Sequence, residues 1–131
     1  MEPYFLNVDL EIVSASKLDS LAAEMGSRVI VLHSGPASKL KHHMLALEYS
    51  RFQKKRNPDV VIHALCSVIE SLSSPSLRIW QRAQKEFDVG YELRPSEQFS
   101  RFSLRPKTLE RVAALGATLT VTYYRGDTSD A

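Results

Sequence analysis

Polar and apolar residues alternate from Tyr4 to Val13, with Leu6, Val8, Leu10 and Ile12 on one side and Phe5 and Asn7 on the other. This is the period-two pattern of a half-buried strand. The period then lengthens: Leu18, Leu21, Ala22 and Met25 make one stripe of a predicted helix from Lys17 to Met25, with Ser16 placed to cap it and Asp19 three residues later. Gly26 closes that helix, because glycine takes up the left-handed conformation after a last turn at little cost, and Arg28 to His33 reads as a buried strand. Ser34-Gly35-Pro36 opens a loop that reaches Lys41. His43 to Ser50 fits two periods. Leu45, Leu47 and Tyr49 alternate as in a strand, whereas Leu45, Tyr49 and Phe52 also suit a helix, and the strand is the preferred reading.

Asn57-Pro58 is a helix start, since asparagine caps and proline is tolerated in a first turn, and Val61, Leu65, Val68 and Leu72 run down one face. Ser73-Ser74-Pro75 interrupts it, and a second helix from Ser76 to Glu86 is expected to present Leu77, Trp80, Ala83 and Phe87 inward. A strand follows from Phe87 to Leu93, then a loop over Arg94 to Arg101. Pro106 opens a last helix that Gly116 closes, and Ala117 to Tyr124 is the final strand. Its Leu119, Val121 and Tyr123 alternate with Thr118, Thr120, Thr122 and Tyr124, so one sheet face is expected to be the more polar. Val61, Leu65, Val68, Trp80, Leu109, Leu119 and Val121 are the predicted core.

The run Leu21 to Gly26 followed by Val29 and Val31 resembles Val112 to Gly116 followed by Leu119 and Val121, and a strand precedes each. The fold class that follows is α+β: two strand-helix-strand units form a mixed or antiparallel sheet of ferredoxin-like character, a central helical hairpin packs on it, and the other face is open. Residues 1–125 make a single domain and residues 126–131 a frayed tail.

Composition does not disturb this picture. A hydrophobic share of 44% and a charged share of 24% suit a packed globular chain. The formal net charge of +2 is too small to announce a nucleic-acid or membrane partner by itself. Cys66 is the single cysteine, which excludes an internal disulfide and suits a reducing compartment. The first residues do not read as a secretory leader, and there is no apolar run near the ~20 residues that span a bilayer, so a cytoplasmic location is expected.

Candidate chemistry is sparse. Asp59, His63 and Ser67 carry the residue types of a hydrolytic triad at intervals of four, but side chains stacked along one helix point outward in parallel rather than converging on a substrate. The expected reading is that Asp59 favours the positive helix start while His63 and Glu70 lie on a solvated face. His33, His42, His43 and His63 lack metal-ligand spacing, the glycines are isolated rather than gathered in a phosphate loop, and Cys66 has no basic neighbour in sequence to activate it. No catalytic residue, metal or cofactor is therefore assigned. Basic residues cluster at Arg51, Lys54, Lys55 and Arg56, beside Phe52, and again at Arg78, Arg82 and Lys85 at helical spacing.

The stretch Phe87-Asp88-Val89-Gly90-Tyr91-Glu92, with Leu104, Thr108-Leu109, Val112-Ala113, Leu115-Gly116-Ala117 and Thr122-Tyr123-Tyr124, resembles a family of small uncharacterised bacterial α+β domains. Some members are encoded in toxin neighbourhoods and are suspected immunity proteins. The resemblance covers the C-terminal third and brings no catalytic residues. It implies a bacterial, non-catalytic, protein-binding domain that neutralises a cognate toxin. Arg51, Phe52, Lys54, Lys55, Arg56, Phe99 and Arg101 are the candidate partner-binding residues, because an interface is built on aromatic and arginine anchors. Two alternatives stand beside it: a nucleic-acid-binding accessory protein using the basic 51–56 loop, and a small-molecule binder or enzyme with a cleft between sheet and helices.

Overall fold

The N-terminal alternation is realised as a strand, β1 (Tyr4–Ser14), which buries Val8, Leu10, Ile12 and Ser14 and leaves Asn7, Asp9, Glu11 and Val13 half-buried on its other side. The computed structural model describes residues 4–36, 42–51, 57–93 and 101–125. After β1 come α1 (Asp19–Met25), a short 3-10 turn (Gly26–Arg28), β2 (Val29–Pro36), β3 (His43–Tyr49), α2 (Pro58–Glu70), α3 (Ser74–Arg82), β4 (Gln84–Leu93), α4 (Pro106–Ala114) and β5 (Thr118–Arg125). The five strands form one mixed sheet in the order β2-β3-β1-β4-β5. Every neighbouring pair is antiparallel except β4 and β5, which run parallel.

Local chemistry sets the helix limits. Asn57 caps α2 by accepting the Val60 N–H at 3.0 Å, and Pro58 occupies the first turn, where its missing N–H is not needed. Ser73 caps α3, and a carboxylate from another helix reinforces it: Glu24 accepts the Ser73 N–H at 2.7 Å and the hydroxyls of Ser73 and Ser76. These bonds hold Glu24 below the usual glutamate pKa. Chain direction at the C-termini of α1 and α4 is changed by Gly26 and Gly116, at φ of 56° and 68°, a region where a side chain is strained.

Several boundaries differ from expectation. The first helix begins at Asp19 rather than Lys17, and Ser16 does not cap it; the Ser16 N–H instead bonds the Ser14 hydroxyl at 3.0 Å. The helix expected to reach Glu86 stops at Arg82, Ala83 is extended, and Phe87 is buried as a strand residue. Lys85 therefore belongs to β4 rather than to an exposed basic helix face with Arg78 and Arg82. The preferred reading of His43 to Ser50 as a strand matches β3.

The core lies between the helices and one face of the sheet. There α2 covers β1 and β3, α3 covers β1, and α4 packs on α2 and β5. Val61, Leu65, Val68 and Trp80 are buried as expected, and the Trp80 indole N–H bonds the Leu115 carbonyl at 3.0 Å. Leu109 and Val121 are not buried, at 46% and 37% exposure, and Leu119 is half-buried. The reason is position: α4 buries Thr108 and Val112, leaving Leu109 outward, while β5 is an edge strand, paired among the described strands with β4 alone. Among the described residues no helix is long and apolar enough to cross a membrane.

Candidate functional site

The sheet face turned away from the helices is where charge accumulates. Residues facing one another across an antiparallel ladder share a face, so Asp9 stands beside Glu48 of β3 and Asp88 of β4, and Glu11 stands beside Ala46 and Glu86. Parallel pairing continues these rows onto β5, with Asp88 beside Thr120 and Glu86 beside Thr118. Glu92 lies on the same side of β4. Glu48, Asp9, Glu11, Glu86, Asp88 and Glu92 thus occupy one face, and no lysine or arginine accompanies them among its described strand positions.

Two of these carboxylates are partly satisfied. The Asn7 side-chain amide donates to Glu48, and the Thr122 hydroxyl donates to Asp88 at 2.6 Å. Asp9, Glu11 and Glu86 have neither a side-chain hydrogen bond nor an ion pair among the described residues. Partial burial pushes the pKa of Asp9 up, and Glu48 and Asp88 push it further; burial does the same to Glu11, followed by Glu86, Asp88 and Asp9. Like charges paired across a ladder destabilise a sheet. The fold therefore carries an unfavourable electrostatic arrangement on a face that no helix covers among the described residues.

A cleft of about 470 Å³ opens at one end of this face, between Glu11, Val13, Ala83, Glu86 and Gly116. Lys85 also lines it, but its Nζ is committed to α3, donating to the carbonyls of Trp80, Ala83 and Gln81 at 2.9, 3.2 and 3.3 Å and lying 5.5 Å from the Trp80 ring centroid. Burial lowers its pKa.

The residues resembling a triad have a different employment. Asp59 is buried and accepts the Arg105 N–H and Nε, each at 2.9 Å. Burial alone would raise its pKa, but hydrogen bonds from the Arg105 backbone, the Thr108 hydroxyl and the Arg105 guanidinium, with the charge of Arg105, outweigh it and leave it lowered. His63 Nδ1 lies 3.5 Å from the Thr108 hydroxyl, and Ser67 donates to the His63 carbonyl at 3.2 Å and accepts from Arg111 at 3.0 Å. Arg111 also grips Glu70 at 2.7 Å. On the face expected to be solvated, Ser67 and Glu70 are exposed and His63 is half-buried, and the same face bonds α4. Asp59, His63 and Ser67 do not converge on a common point, and Cys66 is buried, with its thiol pushed up to about 11 chiefly by that burial.

Of the partner-binding residues expected from sequence, Arg51 and Arg101 are exposed at the surface. Phe52, Lys54, Lys55, Arg56 and Phe99 lie outside the described residues, as does the tail 126–131. Among the described residues no three His, Cys, Asp or Glu side chains gather as metal ligands would. The acidic face was missed. Its signal was present, in Asp9 and Glu11 alternating with Val8, Leu10 and Ile12, and in Glu86 and Asp88 alternating with Phe87 and Val89. Only the pairing of β1 with β4 and β3 brings these acids side by side. No protein-family model, curated protein or solved structure matches the chain.

Proposed function

We propose that this chain is a non-catalytic, cytoplasmic protein-binding domain whose acidic sheet face receives the basic surface of a partner, and that the partner is a toxin it neutralises as a bacterial immunity protein. The framework is read as two strand-helix-strand units, β1-α1-β2 and β4-α4-β5, in a ferredoxin-like arrangement. The order β2-β3-β1-β4 with antiparallel neighbours supports the ferredoxin-like arrangement of those four strands, and the parallel pairing of β4 with β5 across α4 supports the second unit, whose β5 lies outside them. The observation that carries the binding role is the row Glu48, Asp9, Asp88: three acids side by side on a sheet face that no helix covers among the described residues, the middle one without a side-chain partner among those residues. A basic surface would remove that repulsion on docking, and complementary charge also speeds encounter. The same acidity disfavours the nucleic-acid reading for this face, since phosphates would be repelled.

The test is co-expression with the product of the adjacent gene. Cells are expected to survive that product only when this chain is present, and survival is expected to fall when Asp9, Glu11 and Asp88 become Asn, Gln and Asn. Equal death with and without the chain would remove the immunity role.

One observation favours a second reading. The 470 Å³ cleft holds two groups with displaced pKa values, Glu11 and Lys85, as a small-molecule site often does. A screen of small cationic metabolites by thermal shift distinguishes the two: stabilisation lost in Glu11→Gln, with no effect of that variant on toxin neutralisation, would favour the cleft.

A further inference from the structure

Strand β2 forms one edge of the sheet, paired among the described strands with β3 alone, so every second backbone amide and carbonyl along it points outward without a strand partner. Its side chains are unusual for an edge. Ile30, Val31 and Leu32 are consecutive and 47, 45 and 50% exposed, and they crop out on both sides of the sheet. Val29 to Pro36 contains no lysine, arginine, aspartate or glutamate, and its single proline is the last residue. Natural edges are guarded by charges, prolines or bulges. Here one guard is present, a register shift between Val31 and His33 that leaves Leu32 as the extra residue.

We propose that two copies of this chain associate through β2, pairing antiparallel about a two-fold axis so that the sheet continues from one subunit into the other. A neutral strand is self-complementary in this arrangement: each residue meets its symmetry mate or a near neighbour, and none of these contacts opposes like charges. The acidic faces do not prevent it. Glu48 of one copy lies three strand spacings from Glu48 of the other, ~14 Å at ~4.8 Å per strand, beyond the ~8 Å screening length of physiological salt. Pairing β2 of one copy with β5 of the next would be head-to-tail, giving an open filament unless its rotation closes a ring. Eight residues of strand make a contact at the small end of specific interfaces, under about 1,200 Å² in total, the size class of weak, transient association.

Sedimentation equilibrium of the full chain, from about 1 µM to about 1 mM, tests this across the weak association expected for so small an interface. A monomer–dimer equilibrium is expected, and Ile30→Lys with Leu32→Lys should weaken it by about tenfold or more, since each lysine replaces burial by repulsion from its symmetry mate. Both positions are solvent-facing, so circular dichroism should show an unchanged fold. Tyr123→Lys on β5 should leave the equilibrium as it is. A monomer throughout the range, a dimer insensitive to the two β2 lysines, a dimer abolished by Tyr123→Lys, or open-ended oligomers that grow with concentration would each overturn the proposal.

Discussion

Asp9 is flanked by Glu48 and Asp88 on the strands either side, and its carboxyl holds a proton more tightly in the folded chain than in an unfolded one. A carboxylate with a raised folded pKa destabilises the fold when ionised, so the penalty is present at neutral pH and is relieved as pH falls through the raised value toward 3.8. Asp9→Asn should therefore stabilise the protein at pH 7 by about 0.2 to 1 kcal/mol, the usual scale of one cross-strand pair, and the gain should shrink on acidification in urea titrations at several pH values. Asp59 has the opposite sign. Its folded pKa is lowered, so its contribution is present above 3.8 and is lost as pH falls through the depressed folded value. Asp59→Ala, which leaves the Arg105 N–H without its acceptor, should cost about 1 to 3 kcal/mol at pH 7, with the two unfolding curves converging in acid. At this scale the sequence was half legible. That Asp59, His63 and Ser67 share a helix face followed from their spacing. That the face meets Thr108, Arg105 and Arg111 did not, because a period says which residues are neighbours on a helix and nothing of what is laid against them.

Elements were the most legible level, since their signals are local. Asn57 caps α2 where a cap was expected, and the alternation at both ends of the chain became β1 and β5, while α3 starts at Ser74 rather than Ser76, capped by Ser73 from the segment expected to interrupt the helices. Failures came where tertiary context overrode the local pattern. Ala83 and Phe87 continue the spacing of α3, yet the sheet recruits Gln84 onward as β4, and Lys85 then folds back to bind the last carbonyls of the helix. Leu109 and Val121 had core-like periodicity, but Leu109 faces outward on α4 and Val121 lies on edge strand β5, and no other described element covers them. Two substitutions measure what these elements contribute. Leu65→Ala, at the buried centre of α2, should cost about 2 to 5 kcal/mol in chemical denaturation, with the lower values if neighbours collapse into the space. Ser73→Ala removes both the cap of α3 and its bond to Glu24, and should cost about 1 kcal/mol, read as a lowered thermal midpoint.

Among the described residues, charge is separated between the two sides of the sheet. A formal +2 concealed an arrangement in which one sheet face carries Glu48, Asp9, Glu11, Glu86, Asp88 and Glu92, while Arg105 and Arg111 serve the helical side. Charge totals lose this because they carry no geometry. The expectation that one sheet face is the more polar matches the threonines of β5, which share a face with Glu86 and Asp88, but the sign of that face depended on which strands pair. The binding role rests on that sign, and the most direct test is isothermal titration of the purified chain against the product of the adjacent gene at two salt concentrations. The account predicts a one-to-one complex between this chain and that product, weakened at higher salt, weakened again by Asp9→Asn with Asp88→Asn, and indifferent to alanine at Arg51, Lys54, Lys55 and Arg56. Affinity unchanged by the two face substitutions, or lost instead on removing those four basic residues, would contradict it.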